Sequence, residues 1–285
     1  MDMRGRKLLR SVPASPAVAA LALAFPFAFA LAFGLSTTVA SASDAEPDHL
    51  IVTASGSTLN TASGGGRGAV TWLHAFDTDA LLGAGGEYDT IGNARWTLAT
   101  LTSALSGGPP ANRWTIAADA RLGTGDIGPT RFDYDVEAVS VKDSVSRVVS
   151  LQLETRQFDI YTTHGNLPKA GISLLVAPGW LLGADYAHSV GGNLGTVFAA
   201  ARLDHFGGAV SWFVGGARGH VAPAVVNVQT GAMGPVPRYW DGYVGFTKTL
   251  RRTQWTVSGE YLDLAAGTRR LTLTVTCSLL SPHAQ

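Results

Sequence analysis

The chain has 285 residues, and its 21 basic side chains balance its 21 acidic ones, which excludes the basic excess that nucleic-acid binding requires. Charged residues make up 15% of the sequence, whereas soluble domains usually contain about 25%. The single cysteine, Cys277, excludes an internal disulfide and a cysteine-based zinc site. The histidines follow no metal-ligand spacing, so we predict no metal and no cofactor.

The N-terminus has the three parts of a secretory signal peptide. Basic residues come first, a long apolar run follows, and the small-residue sequence Ala-Ser-Ala ends the segment at residues 40–42. A retained membrane helix is the alternative, because the apolar run approaches the length that spans a bilayer. A proline and a glycine interrupt that run, however. We therefore predict cleavage after Ala42, with residues 1–42 as the signal peptide and residues 43–285 as one domain.

The remaining chain alternates between apolar and polar side chains over runs of about nine to twelve residues, separated by Gly, Pro, Asn and Asp clusters. Successive side chains of a β-strand point to opposite faces, so this pattern predicts strands with one apolar face. We predict fourteen strands, with twelve as the fallback because the first and third are the weakest. The predicted strands span residues 50–58, 66–76, 80–88, 93–104, 112–122, 130–141, 147–158, 168–177, 180–188, 194–205, 208–218, 237–248, 253–263 and 268–279.

The final run, "RRLTLTVTCSLL" at residues 269–280, shows the alternation most clearly. Leu271 and Leu273 share one face with other apolar residues, and the opposite face carries threonine and serine hydroxyls. This strand fits a half-buried sheet of a secreted soluble protein. It fits equally a membrane strand that has lipid on one side and a polar interior on the other.

Loop lengths and aromatic residues favour the membrane strand. Bacterial barrels have an even number of strands, long external loops and short periplasmic turns. When the longest irregular stretch, residues 219–236, is placed outside, both chain termini fall in the periplasm. Five tryptophan side chains then point outward near the ends of their strands, where the membrane interfaces would be. They are Trp96 and Trp240 at the external end, and Trp114, Trp180 and Trp255 at the periplasmic end.

These patterns predict an all-β protein, an antiparallel up-and-down transmembrane β-barrel. Its predicted location is the bacterial outer membrane, where it contacts the membrane lipid. The barrel-assembly machinery is the partner expected during biogenesis. The sequence makes no prediction of an oligomeric state.

The C-terminal half resembles YaiO-type outer-membrane barrels. In "KAGISLLVAPGWLLGADYAHSVGGN" at 169–193, a Gly-x-Ser-Leu strand runs into a Pro-Gly turn, and the next strand ends in Tyr-x-His. The order continues in "AARLDHFGGAVSWFVGGARG" at 200–219 and "DGYVGFTKTL" at 241–250. The resemblance implies fold and location, and it implies no activity. One departure concerns assembly, because such barrels usually end on an aromatic residue, whereas this chain ends "CSLLSPHAQ".

Charges of both signs are predicted to line the lumen on three consecutive strands. We assign to this lumen network Arg113, Asp119, Arg121, Arg131, Asp133, Asp135, Glu137, Glu154 and Arg156. A ring of one sign would indicate ion selectivity, so the mixed signs favour a cross-strand network that fills the wall. A solute path lined by the same residues is the alternative. We expect Asp133 to lie between Arg121 and Arg156.

No residue pattern predicts catalysis. His188-Ser189 and His164-Gly165-Asn166 lie at predicted external strand ends, and outer-membrane phospholipases use His, Ser and Asn at the lipid-facing rim. Adjacent strand residues point to opposite faces, so His188 and Ser189 are poorly placed to act together. The sequence predicts a non-enzymatic barrel, either structural or a narrow solute pore. An enzyme acting on lipid or lipopolysaccharide at the rim is the alternative function.

Overall fold

The strands form one closed antiparallel barrel in chain order, with the first strand paired to the last. The computed structural model describes residues 48–60, 64–76, 79–92, 94–109, 112–220, 238–264 and 268–280. The predicted signal peptide lies outside these residues. None of the described residues belongs to a helix that is long and apolar enough to cross a bilayer. The fold class, the up-and-down topology and the prediction of fourteen strands are confirmed.

The strands agree with the predicted runs within a few residues at most ends. They are β1 (Asp48–Leu59), β2 (Gly65–Ala75), β3 (Ala80–Ile91), β4 (Ala94–Gly107), β5 (Trp114–Ile127), β6 (Thr130–Asp143), β7 (Val149–Ile160), β8 (Thr163–Ala177), β9 (Trp180–His188), β10 (Val197–His205), β11 (Ser211–His220), β12 (Arg238–Leu250), β13 (Thr253–Leu264) and β14 (Thr268–Leu280).

The two ends of the barrel differ. The start of β1 and the end of β14 lie together at one end, which we call the termini end. The opposite end, which we call the loop end, carries the segment 189–196. β8 has 15 residues, whereas β9 and β10 have nine each. Because Lys169 of β8 pairs with Ala187 near the end of β9, the first residues of β8 extend beyond β9 at the loop end.

The final strand faces as the sequence predicts. Leu271 and Leu273 are each 58% exposed, while Arg270 and Thr272 are almost fully buried. Across the closing seam, the hydroxyl of Thr276 lies 3.2 Å from that of Thr53. The leucines therefore lie on the outer face, which meets lipid in a membrane barrel, and the threonines line the lumen.

Aromatic residues on the outer face collect near the strand ends. At the termini end, Trp114, Trp180 and Trp255 begin or nearly begin their strands, and the rings of Trp180 and Trp212 lie 5.3 Å apart. Trp240 lies on the outer face near the loop end, with its ring 5.7 Å from that of Tyr261. This distribution is typical of the interfacial belts of membrane barrels.

Trp96 departs from this pattern. It is 6% exposed, and it pairs with Asp89, whose side chain faces the lumen. The structure thus places Trp96 inside the barrel, contrary to the prediction of an interfacial position. In β4, Leu98 and the large apolar side chain before it face inward, whereas Leu101 and Leu105 face outward. The prediction that the apolar side chains of this strand face outward was therefore wrong at its loop end.

Candidate functional site in the barrel lumen

The loop-end half of β6 faces opposite to the prediction. Phe132, Tyr134 and Val136 are buried in the lumen, and the charged residues between them point outward. The outward set is Arg131, Asp133, Asp135 and Glu137. β6 pairs with β5 and β7 without a register shift, so the same alternation of inward and outward side chains continues along the whole strand.

A change of surroundings along the outer face of β6 explains this inversion. Nearer the termini end, β6 exposes Val139 and Val141 on its outer face, as a lipid-facing strand should. Nearer the loop end, the same outer face carries Asp133 and Asp135. We infer that the wall there rises above the lipid, so that water contacts its outer face and apolar side chains fill its interior.

The sequence contains a signal of this change. In β6, apolar side chains occupy even positions up to Ala138 and odd positions from Val139, although the strand continues without a bulge. In β7, Leu153 faces outward, whereas Phe158 and Ile160 face inward. Because side chains alternate with a period of two, a phase change inside an unbroken strand indicates that the surroundings change at that level.

Apolar side chains fill the lumen near the loop end, and we call them the apolar layer. Its members come from β3 to β10, from β12 and β13, and from the segment 189–196, and none is more than 8% exposed. The apolar layer comprises Ile91, Ala94, Trp96, Leu98, Ile127, Phe132, Tyr134, Val136, Phe158, Ile160, Leu167, Ala187, Leu194, Phe198, Ala200, Tyr239 and Leu262.

Charged side chains fill the adjoining part of the lumen, and we call them the charged layer. On every strand that contributes to both layers, the apolar residue lies nearer the loop end and the charged residue nearer the termini end. The charged layer comprises Arg67, Glu87, Asp89, Asp119, Arg121, Glu154, Arg156, Lys169, Asp185, Arg202, Asp204, Asp241, Glu260 and Arg270.

Ion pairs hold much of the charged layer together. Glu154 accepts hydrogen bonds from Arg156 (Nη2 to Oε1, 2.9 Å), and its Oε2 lies 2.7 Å from Lys169 Nζ. The three side chains are 6–9% exposed. Buried charges of this kind persist only when they are paired and hydrogen-bonded, because isolated ones lose their hydration without compensation.

Three further pairs repeat this arrangement around the barrel. Arg202 donates to both carboxylate oxygens of Asp204, with its shortest contact at 2.6 Å. Arg270 donates to Glu260 at 2.7 Å, and Arg67 donates to Glu87. The result is a mixed-sign lining rather than a ring of one sign.

Of the predicted lumen residues outside β6, four lie on the inner face and one lies apart from the charged layer. Asp119 and Arg121 of β5, and Glu154 and Arg156 of β7, lie on the inner face, and Asp119 is within electrostatic range of both arginines. Arg113 precedes β5 at the termini end and pairs with Asp79 at 2.7 Å, away from the charged layer.

Most partners in the charged layer escaped the sequence prediction. Lys169, for example, lies directly opposite Glu154 only because β7 and β8 pair in one particular register. Arg67 is the one Lys, Arg, Asp or Glu residue of β2, and Glu87 and Asp89 are the two of β3, on strands otherwise rich in glycine and alanine. Their alternation with outward residues such as Tyr88 is the signal that could have identified them.

Toward the termini end the lumen contains pairs of small hydroxyl side chains. The hydroxyls of Thr247 and Thr256 lie 2.9 Å apart, and those of Ser106 and Thr115 lie 2.9 Å apart. Hydroxyl pairs across neighbouring strands stabilise the sheet without charge. Hydroxyl pairs thus lie on the termini side of the charged layer, where apolar side chains such as Leu73 also point into the lumen.

The residues considered for catalysis make other contacts in the structure. Ser189 Oγ accepts a hydrogen bond from the Thr196 backbone N–H at 2.8 Å, and His188 is exposed on the outer face. The Asn166 backbone bonds to Val190. Among the described residues, no group of three or more potential metal ligands comes together.

No protein-family model matches the chain, and no curated protein sequence matches it. These comparisons give no support to the resemblance to YaiO-type barrels.

Solved outer-membrane barrels match the fold. A monoaromatic hydrocarbon channel, CymD, superposes with a TM-score of 0.63 at 10% identity, covering 88% of this chain and 93% of that one. A mutant of the monoaromatic hydrocarbon channel TodX gives 0.57 at 7% identity, covering 85% and 92%. Omp33 of Acinetobacter baumannii gives 0.50 at 9% identity, covering 82% and 99%. At such identities the similarity concerns the fold alone: this chain has the closed antiparallel β-barrel fold of outer-membrane channels.

Proposed function

We propose that the protein is an outer-membrane channel for small apolar or amphipathic solutes, with low conductance for ions. The observation that carries this proposal is the apolar layer, which closes the lumen with side chains that are at most 8% exposed. An ion entering such a constriction would lose its hydration shell, and hydrophobic constrictions exclude ions for this reason. An apolar solute gains free energy on leaving water for the same surface.

The charged layer has a structural part in this proposal. Its ion pairs neutralise one another, as Glu154 does with Arg156 and Lys169, so they fill the lumen and fix its width. The proposal also agrees with the names of CymD and TodX, which are described as channels for monoaromatic hydrocarbons.

A purely structural barrel is the second candidate. The near-complete burial of the apolar layer and the pairing within the charged layer favour a lumen that stays closed. An enzyme at the rim has less support, because Ser189 bonds to a backbone N–H rather than to a histidine. The finer resemblance to YaiO-type barrels stays a hypothesis that rests on the sequence patterns.

We also propose that the chain is inserted in the outer membrane after cleavage of residues 1–42, with both termini in the periplasm. Mature protein starting at Ser43 is expected in the outer-membrane fraction, migrating differently on gels before and after heating. A C-terminal tag should become accessible to protease only after the outer membrane is permeabilised. Recovery in the soluble periplasmic fraction, with no shift on heating, would contradict this location.

Ion conductance and solute entry test the channel proposal together. In planar bilayers, refolded protein should conduct ions far less than an open, water-filled porin, because the apolar layer excludes them. In cells with an intact lipopolysaccharide leaflet, expression should accelerate entry of an apolar fluorescent aromatic probe. Trp96→Ala, inside the lumen, should change the entry rate, whereas Trp114→Ala, on the outer face, should leave it unchanged.

Two results would reject the channel. Probe entry that does not depend on expression would favour the structural barrel. Porin-like ion conductance of the wild-type protein would show that the apolar layer does not close the lumen.

A further inference from the structure

The segment between β9 and β10 turns back into the barrel, and we call residues 189–196 the strap. Leu194 of the strap is completely buried and belongs to the apolar layer, whereas Val190 of the same strap is 50% exposed. The strap connects the two shortest strands of the barrel, β9 and β10, where the wall is lower than at the neighbouring β8. It therefore completes the closure of the lumen where the strands end early.

Hydrogen bonds attach the strap to β8 and to the turn before it. Val190 and Asn166 exchange two backbone hydrogen bonds, of 2.8 and 3.2 Å. Asn193 accepts from the His164 N–H at 2.9 Å through Oδ1 and donates from Nδ2 to the Thr162 carbonyl at 2.6 Å. The Asn193 backbone N–H donates to the His164 carbonyl at 2.9 Å. These contacts hold one side of the strap on a single neighbouring strand.

Glycines give the strap its shape. Gly191, Gly192 and Gly195 have φ values of 69°, 60° and 51°, in the left-handed region that side chains rarely adopt. A Cβ on Gly192 would lie 2.1 Å from the His164 carbonyl oxygen. Tight turns on both sides of Leu194 thus direct its side chain into the lumen.

We infer that Leu194 is the residue that sets the exclusion of ions, and that solutes pass by displacing it together with the strap. This inference rests on the proposed channel function. The other members of the apolar layer are carried by strands, so they cannot leave the lumen without breaking the sheet. Leu194 is carried by a segment that a few hydrogen bonds retain. An apolar solute presents the same kind of surface to the apolar layer as the leucine side chain does. Replacing the leucine by the solute therefore costs little free energy.

The first experiment compares two substitutions in the strap. Leu194→Ser is expected to raise ion conductance in planar bilayers by about tenfold or more, because a polar side chain lets water into the constriction. Val190→Ser is the matched control, since this side chain faces outward, and its conductance should equal that of the wild type. The shift on unheated gels verifies folding, and Leu194→Ala replaces Leu194→Ser if the latter does not fold.

The second experiment tests the movement. Asn166 and Val190 form a directly hydrogen-bonded antiparallel pair, whose Cα atoms are typically about 5.5 Å apart, within the range of a disulfide. Asn166→Cys with Val190→Cys, in a Cys277→Ser background, should slow probe entry when oxidised. Reductant should restore entry, and the Cys277→Ser background alone should respond to neither treatment.

The outcomes separate the inference from the channel proposal. If the wild type admits the probe but Leu194→Ser conducts ions no better than Val190→Ser, Leu194 is not the constriction and the inference is overturned. If the oxidised disulfide leaves probe entry unchanged, the strap does not move and the inference is overturned likewise. If the wild type admits no probe, the channel proposal itself fails.

Discussion

Replacing Glu154 by alanine is expected to destabilise the barrel by about 3–5 kcal/mol, because it leaves two buried cations without their shared carboxylate. The side chains of Arg156 and Lys169 are 8% and 6% exposed, so water can replace little of the lost interaction. Urea unfolding of the protein refolded into lipid vesicles would measure the loss. Adding Arg156→Ala to Glu154→Ala should cost less than the two single losses summed, since the residues are in contact.

Asp133→Ala is the control for this prediction. The sequence pattern predicted Asp133 between Arg121 and Arg156, but the structure places it on the exposed outer face of β6. Its replacement should change the free energy of unfolding by no more than about 0.5 kcal/mol. Equal losses for Glu154→Ala and Asp133→Ala would mean that the facing of β6 is wrong.

Arginine at Leu273 is expected to cost about 2–4 kcal/mol of folding free energy, because in the proposed outer-membrane location this outward side chain would contact the lipid core. Arginine at Thr274, one residue further along β14, should cost much less. Leu273 is 58% exposed on the outer face, whereas Thr274 lies on the lumen face and pairs with Ser258 and Ser55.

Vesicle refolding followed by urea titration measures both variants of β14 in parallel. The heat shift on gels reports whether either variant folds at all. If both substitutions weaken folding by similar amounts, the last strand does not have one lipid face and one lumen face.

The lumen site was only partly predictable from the sequence. Asp119 and Glu154 could be assigned to the inner face, because Asp119 lies between two outward alanines and Glu154 follows the outward Leu153. Lys169 could not be found as the partner of Glu154, because the sequence pattern did not show the turn at residues 161–162 that sets the register of the β7–β8 hairpin. Leu194 was expected at the start of a strand, and the structure instead places it in the strap before β10.

The sequence by itself determined the fold class, the number of strands and the two faces of β14, because an alternation of period two is a local property of the chain. Only the tertiary structure decided which face of β6 is inside. A strand pattern distinguishes two faces without saying which surroundings each one meets, and the outer face of β6 changes from apolar to charged toward the loop end. Asp133 and Trp96 were misplaced for this reason. The pairing within the charged layer likewise depended on the register between neighbouring strands, as between Lys169 of β8 and Glu154 of β7.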